Sequence, residues 1–180
     1  KDACPVDIVV DFPAGTTPLC PIFAGRYVKG VNNGASPAWM QARLKAIGQR
    51  PINALVDVTN YVSIDRGRPL HVYDADKLTG ALRARLGKAG EQFLALNGQT
   101  YTADETMCVI ADDARVHGIG GIMGGEDSSC TPETKNILIE CAYFDPLSIA
   151  TTGRKINLMS DARYRFERGV DPASTRPGLD

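Results

Sequence analysis

Apolar positions recur along this chain mostly in short runs, separated by Gly, Pro and Asn. Val6 to Phe12 is β-rich and closes at Pro13 and Gly15, which predicts a strand and a turn. Ile22 to Val31 predicts a second extended stretch. Ser36 and Pro37 read as an N-cap followed by proline at the first helical position. Met40, Leu44 and Ile47 then share a stripe, and Gly48 stands just past the end, so a first helix is predicted here, carrying Trp39. Asn53 to Val62 is rich in Val and Leu but interrupted by Asp57, Thr59 and Asn60, and reads as a buried strand whose polar groups face something specific.

After a break at Arg66 to Pro69, Leu82, Ala84 and Leu86 alternate with Arg83 and Arg85 at the period of a half-exposed strand. Asn97-Gly98 between Phe93–Leu96 and Gln99–Thr102 predicts a hairpin with a type I′ turn. Met107–Ala111 and Val116–Ile122 predict another around Asp112 and Asp113, and Asn136–Cys141 a further buried strand. Asp145-Pro146 opens a helix to about Ile156, and Ser160 caps one from Asp161 to Arg168, stopped by Gly169. About eight strands and three helices result. The fold class is α+β, a β-rich mixed sheet with a partly closed, barrel-like core and about three packed helices. Residues 1–180 read as one module, with a β-rich core subdividing it near 80–145.

Composition narrows the function. With 43% hydrophobic and 23% charged residues among 180, the chain can bury a sizeable core. Its net charge of -1 gives no positive field for holding nucleic acid mainly through phosphates, so any RNA contact must be local or shared with another domain. The five cysteines are odd in number and lack C-x-x-C spacing, which reads as reduced thiols of a cytoplasmic protein. No apolar run approaches the roughly 18 residues that span a bilayer. The chain starts at Lys1 and stops at Asp180, which reads as a piece of something longer.

Several residues are candidates for chemistry. His71 follows a Gly-Arg-Pro turn and can move a proton or hydrogen-bond an ester or ribose hydroxyl, yet a structural or surface role fits it as well. His117 reads the same way in less polar company. Glycines crowd positions 118–125, including Gly124 and Gly125, and either let a ligand approach the backbone or mark a bulge or tight crossing. They match neither GxGxxG nor a P-loop. Glu140 ends an apolar strand, where a carboxylate is costly to bury unless it is paired or meets a donor from a ligand; alternation can instead turn it to solvent, or an Arg can neutralise it. Thr59, Asn60 and Asp57 either hold a water or substrate group or close turns. Arg163, Arg165 and Arg168 fit a solvated, ion-paired face better than phosphate contact. No metal cluster is credible, and no Ser-His-Asp, HExxH or EF-hand pattern occurs.

Five strings in order carry a resemblance. RPINALVDVTNYV over Arg50–Val62, GRPLHVYD over Gly67–Asp74, GGIMGGE over Gly120–Glu126, LIECAYFDP over Leu138–Pro146 and SDARYRFERGVDP over Ser160–Pro172 together resemble the third and fourth domains of the phenylalanine–tRNA ligase β subunit. The resemblance runs from about Val6 to Pro172 and includes Trp39.

The resemblance implies an editing module that hydrolyses tyrosine wrongly attached to the tRNA for phenylalanine, with ATP- and magnesium-dependent ligation elsewhere in an α2β2 enzyme. No cofactor is implied for this piece. The implied partners are the tRNA acceptor end carrying tyrosine and the α subunit, with no DNA or membrane. The implied roles are Glu140 for the tyrosine hydroxyl and His71 near the ester, with Thr59 and Asn60 helping to hold substrate or a water. Gly124 and Gly125 shape the pocket floor. Ala162 leaves room for the ring, and Ser160 stands where relatives often carry Thr. A site built on such a hydrogen bond discriminates by about 10⁴–10⁵ in favourable cases. No protein nucleophile stands out, so a positioned water attacks, assisted by His71 or the tRNA's own terminal hydroxyl. The family continues past Pro172 into a longer helix and is preceded in bacteria by an OB-type tRNA-binding domain, so weak tRNA affinity is expected of this piece alone. Two other readings are a non-catalytic RNA-positioning scaffold and a stand-alone trans-editing deacylase.

Overall fold

A computed structural model describes residues 4–180, so Lys1 lies outside the described residues. Strands β1 (Ile8–Asp11), β4 (Leu82–Leu86), β7 (Cys108–Ala111), β8 (Val116–Ile119) and β9 (Met123–Gly124) form a five-stranded sheet in the order β1-β4-β7-β8-β9. Only β1 and β4 run parallel within it. The long β10 (Ile137–Tyr143) is the centre of a second, antiparallel sheet between β2 (Ile22–Val28) and β3 (His71–Asp74). β5 (Glu91–Leu94) and β6 (Thr100–Ala103) make a separate hairpin. The α+β class stands, and the sheets do not close into a barrel.

Apolar side chains from both larger sheets meet between them and the C-terminal helices. Leu82, Ala84, Val109, Leu138 and Phe144 are fully buried there with Ile149 and Phe166. The alternation in β4 does what its period implies: Leu82 and Ala84 are buried, while Arg83 and Arg85 reach Asp113 and Glu91 at the margin.

Local signals set most boundaries. Asp145 accepts a hydrogen bond from the Ser148 N–H at 2.7 Å and starts α3 (Pro146–Lys155); Ser160 accepts from the Arg163 N–H at 3.0 Å and starts α4 (Asp161–Phe166). Helix α1 (Ala38–Ala46) forms where expected, but Pro37 is its N-cap and Ser36 donates its hydroxyl to Asp57 instead. The Asn-Gly hairpin also differs from expectation. Gly98 alone takes positive φ (+77°), and its N–H bonds the Ala95 carbonyl, so a tight turn followed by a left-handed Gly replaces the type I′ turn.

The main correction falls on Asn53–Val62, which is not a strand. It is most of helix α2 (Ala54–Arg66). Asn53 caps it by accepting from the Val56 N–H at 3.0 Å, and Gly67 ends it in the left-handed region at φ +60°. These two end signals outweigh the β-branched content between them, because packing rather than propensity decides a helix flanked by good caps. The described residues thus hold four α-helices and ten strands.

Candidate functional site

The antiparallel pairing of β3 with β10 builds the centre of the site. His71 lies directly opposite Glu140, and Tyr73 opposite Leu138, so period two puts His71, Tyr73 and Glu140 on one face of the sheet. That face looks into a small inner cavity of about 80 Å³, whose wall includes these three residues with His117, Ala162 and Phe166. An outer cleft of about 420 Å³ adjoins it and shares His71, Gly124 and Ala162. Helix α2 forms one side of the cleft through Thr59 and Asn60, and Ser160 stands at the start of α4 on the other.

Glu140 is 8% exposed and turns to the interior, not to solvent. Its partner is the hydroxyl of Tyr73, which donates to Oε2. Burial raises the carboxyl from its ordinary 4.5 to about 7, and the Tyr73 hydrogen bond offsets part of that rise. Burial, with His117 beside it, lowers the His71 imidazole from 6.5 to about 4, so His71 is neutral at physiological pH. The His71 and Tyr73 rings meet edge to face at 4.4 Å between centroids. A neutral imidazole offers one donor and one acceptor, enough to orient a water or a carbonyl.

The other sequence candidates divide between the walls and the scaffold. Thr59 is buried and spends its proton on the Val56 carbonyl at 2.9 Å, while its side chain still borders the cleft. Asp57 does not face the site. It accepts from Ser36 and from the Ile52 N–H at 2.8 Å, closing the loop between the two N-terminal helices. Ser160 borders the cleft, but its hydroxyl is committed on both sides, accepting from Arg163 N–H and donating to the Ile122 carbonyl at 2.6 Å. Gly124 belongs to the wall of both cavities, and a Cβ there would stand 2.5 Å from His71 Cε1. Gly125 lies behind it against the His117 carbonyl. The glycine run therefore serves close packing against His71 at one end and against Phe144 at the other, where a Cβ on Gly120 would come within 2.6 Å of the ring. Arg163 is buried and paired with Glu167, not a phosphate ligand on an open face.

One residue in the inner wall, Tyr73, is not singled out by the sequence, and a second, His117, reads there as structural or functional alike. Tyr73 carries a period-two signal, since a strand containing His71 brings residue 73 to the same face. His117 is 1% exposed, with Nε2 2.8 Å from Asp112 Oδ2. The angle at Nε2 is poor for a hydrogen bond despite that short distance, yet the ring is the side chain that lowers the Asp112 carboxyl. Burial pushes the Asp112 carboxyl up, but His117 and the N–H groups of Thr79, Arg115 and Ala114 pull it below the ordinary range. Among the described residues, no group of three His, Cys, Asp or Glu is arranged to hold a metal ion, and no helix is long and apolar enough to cross a membrane.

A buried carboxyl group in the wall of the inner cavity, a largely apolar cleft beside it and a neutral imidazole between the two have the shape and polarity that suit a ligand with an apolar body and a polar tip. The chain belongs to the B3/4 domain family, whose model matches residues 19–180. It is 58% identical over 177 residues to the phenylalanine–tRNA ligase β subunit of Rhodopseudomonas palustris, and 57% identical over 177 residues to that of Novosphingobium aromaticivorans; each match covers 98% of this chain and 22% of the relative. The chain thus spans about a fifth of the length of these relatives. An N-terminal fragment of the phenylalanyl-tRNA synthetase β subunit from Pyrococcus horikoshii has the same fold, with a TM-score of 0.53 at 14% identity, covering 87% of this chain and 52% of that one.

Proposed function

We propose that this chain is the editing module of a phenylalanine–tRNA ligase β subunit, which hydrolyses tyrosine wrongly esterified to the tRNA for phenylalanine. The observation that carries the reading is Glu140, a buried carboxylate in the wall of a cavity that adjoins an open cleft. Tyrosine and phenylalanine differ by one hydroxyl. A buried acceptor favours the ligand that supplies a donor and leaves an unmatched polar group against the one that does not.

In this reading the aromatic ring enters past Ala162 toward Glu140, and the ester stays in the outer cleft near His71. Neutral His71, with Thr59 and Asn60 on α2, positions the attacking water. The 3′-terminal ribose of the tRNA is the natural second proton carrier, because among the described residues no hydroxyl or thiol bordering the cleft is hydrogen-bonded to a His or a carboxylate. The water's oxygen bonds the ester carbonyl, the ester C–O bond breaks, and the ribose oxygen leaves with a proton. Gly124 keeps the floor open for the His71 ring. The wider setting belongs to the same proposal. The module acts in the cytoplasm with the tRNA and the ligase α subunit, and ATP and magnesium serve ligation at a site elsewhere in the enzyme.

The test is deacylation of Tyr-tRNA and Phe-tRNA by the β-containing enzyme, comparing wild type with Glu140→Ala and His71→Ala. Hydrolysis favouring Tyr-tRNA, reduced preference in Glu140→Ala and a slower rate in His71→Ala are the expected results. An unchanged preference in Glu140→Ala removes the recognition role, and a normal rate in His71→Ala removes the positioning role.

A further inference from the structure

We propose that Tyr73 is a positioning residue for the selectivity of this site: by donating to Glu140 Oε2 it fixes the carboxylate, leaving the second oxygen as the acceptor for a substrate phenol. The inference rests on the editing reading above and adds to it a residue that acts through Glu140. Tyr73 is 2% exposed and is held by β3 on the same sheet face as Glu140, two residue pairs along the register. Its ring is gripped edge to face by His71 at 4.4 Å and, more distantly, by His117 at 6.3 Å between centroids. A buried phenol held between two rings cannot follow a moving carboxylate, so the carboxylate settles where the phenol is.

A carboxylate can accept through both oxygens, and Tyr73 takes only one of them. The arrangement also lowers the cost of the empty pocket, since a buried carboxylate without any donor is strongly disfavoured. The titratable groups around Glu140 are His71 and Tyr73 from β3, His117 from β8, Cys108 from β7, Cys20 from the segment before β2 and the adjacent Cys141 on β10. Burial raises all three thiols, which stay protonated. None of these groups carries a fixed positive charge, so the Tyr73 hydroxyl is what favours the ionised carboxylate against its burial.

The experiment measures hydrolysis of Tyr-tRNA and Phe-tRNA against pH by the complete enzyme as wild type, Tyr73→Phe, Glu140→Gln and the double variant. Tyr73→Phe keeps the ring and removes the hydroxyl. The expected results are a fall of about tenfold or more in the Tyr-over-Phe preference at neutral pH, from loss of a charge-assisted hydrogen bond, and a shift of its acidic limb to higher pH. The preference of the double variant should equal that of Glu140→Gln alone. An unchanged pH profile in Tyr73→Phe, or an equal slowing on both substrates at every pH, overturns the inference while leaving the editing reading intact. Failure of the wild-type enzyme to prefer Tyr-tRNA overturns the editing reading and this inference with it.

Discussion

Glu140 and His71 are cross-strand partners, one on β10 and one on β3, and burial moves their proton affinities in opposite directions. The carboxyl rises to about 7 and the imidazole falls to about 4, so both are driven toward their neutral forms. A one-residue slip of β3 would turn His71 and Tyr73 away together, which is why the register carries the site.

This pairing gives a signed prediction for stability against pH. Glu140 binds its proton more tightly folded than unfolded, so its contribution is largest below about 4.5 and is lost as pH rises toward about 7. His71 binds its proton less tightly folded, so its contribution is absent below about 4 and grows as pH rises to about 6.5. Across the shared window the two cancel. Denaturant midpoints of the wild type should therefore carry no net slope from this pair between about 4.5 and 6.5. Glu140→Gln should gain a slope of up to about 1.4 kcal/mol per pH unit, with stability rising toward neutrality. His71→Asn should gain the opposite slope. Identical profiles for all three would refute the burial argument.

Gly124→Ala tests the close approach of β9 to the imidazole. The backbone there is ordinary, so the added methyl strains nothing by itself, but it lies 2.5 Å from His71 Cε1 and 2.9 Å from Nε2. The ring must move away from the cavity wall. Hydrolysis of Tyr-tRNA by the enzyme should fall by about 10²-fold, the scale of an ångström-sized misplacement, while the melting temperature changes little. Equal loss of stability and rate would assign the glycine to folding instead.

Much of this was legible in the chain before folding. The caps at Asp145 and Ser160 and the alternation in β4 act within a few residues, and local chemistry reads out locally. Helix α2 reads as a strand in the sequence because Val and Leu content hides the capping Asn53 and the left-handed Gly67, the two residues that define its ends. Glu140 stood out as an expensive group to bury, and its burial follows. Its partner did not, because Tyr73 reaches it only through a strand pairing 67 residues away in sequence. His117 is visible as a candidate, but sequence alone leaves its role open because its surroundings are set by tertiary packing.

Asp57 offers a test that separates scaffold from site. It is 1% exposed and closes the approach to α2 by accepting from Ser36 and Ile52. Asp57→Ala leaves two donors unpaired and should cost about 2–3 kcal/mol in denaturant unfolding. The Tyr-over-Phe preference of the folded enzyme should stay within about twofold of wild type, well below what loss of a substrate hydrogen bond would cost. A collapse of preference without loss of stability would place Asp57 in the recognition machinery.

Arg68 ties the site to the C-terminal turn. Its guanidinium is 1% exposed, and its donors go to neutral acceptors: Nη1 to the Ala142 carbonyl at 2.6 Å, Nη2 to the Asp171 carbonyl at 2.9 Å, and Nε to Ser174 Oγ at 2.9 Å. One planar fork thus joins the approach to β3, the end of β10 and the turn at Pro172–Ser174. Lysine has the charge but not the fork, and cannot meet three acceptors in those directions. Arg68→Met removes the charge, keeps most of the stem and leaves the carbonyls unmet. Leaving these acceptors unmet should cost about 1–3 kcal/mol for each one that stays buried in Arg68→Met, and Lys should recover only part of it. Equilibrium unfolding of the three proteins measures the order. If Arg68→Lys is as stable as wild type, charge alone suffices and the three-way geometry contributes nothing. If the predicted order holds, loss of hydrolysis in Arg68→Met should track the unfolded fraction with temperature, because the guanidinium supports His71 and Glu140 through their strands without lining either cavity.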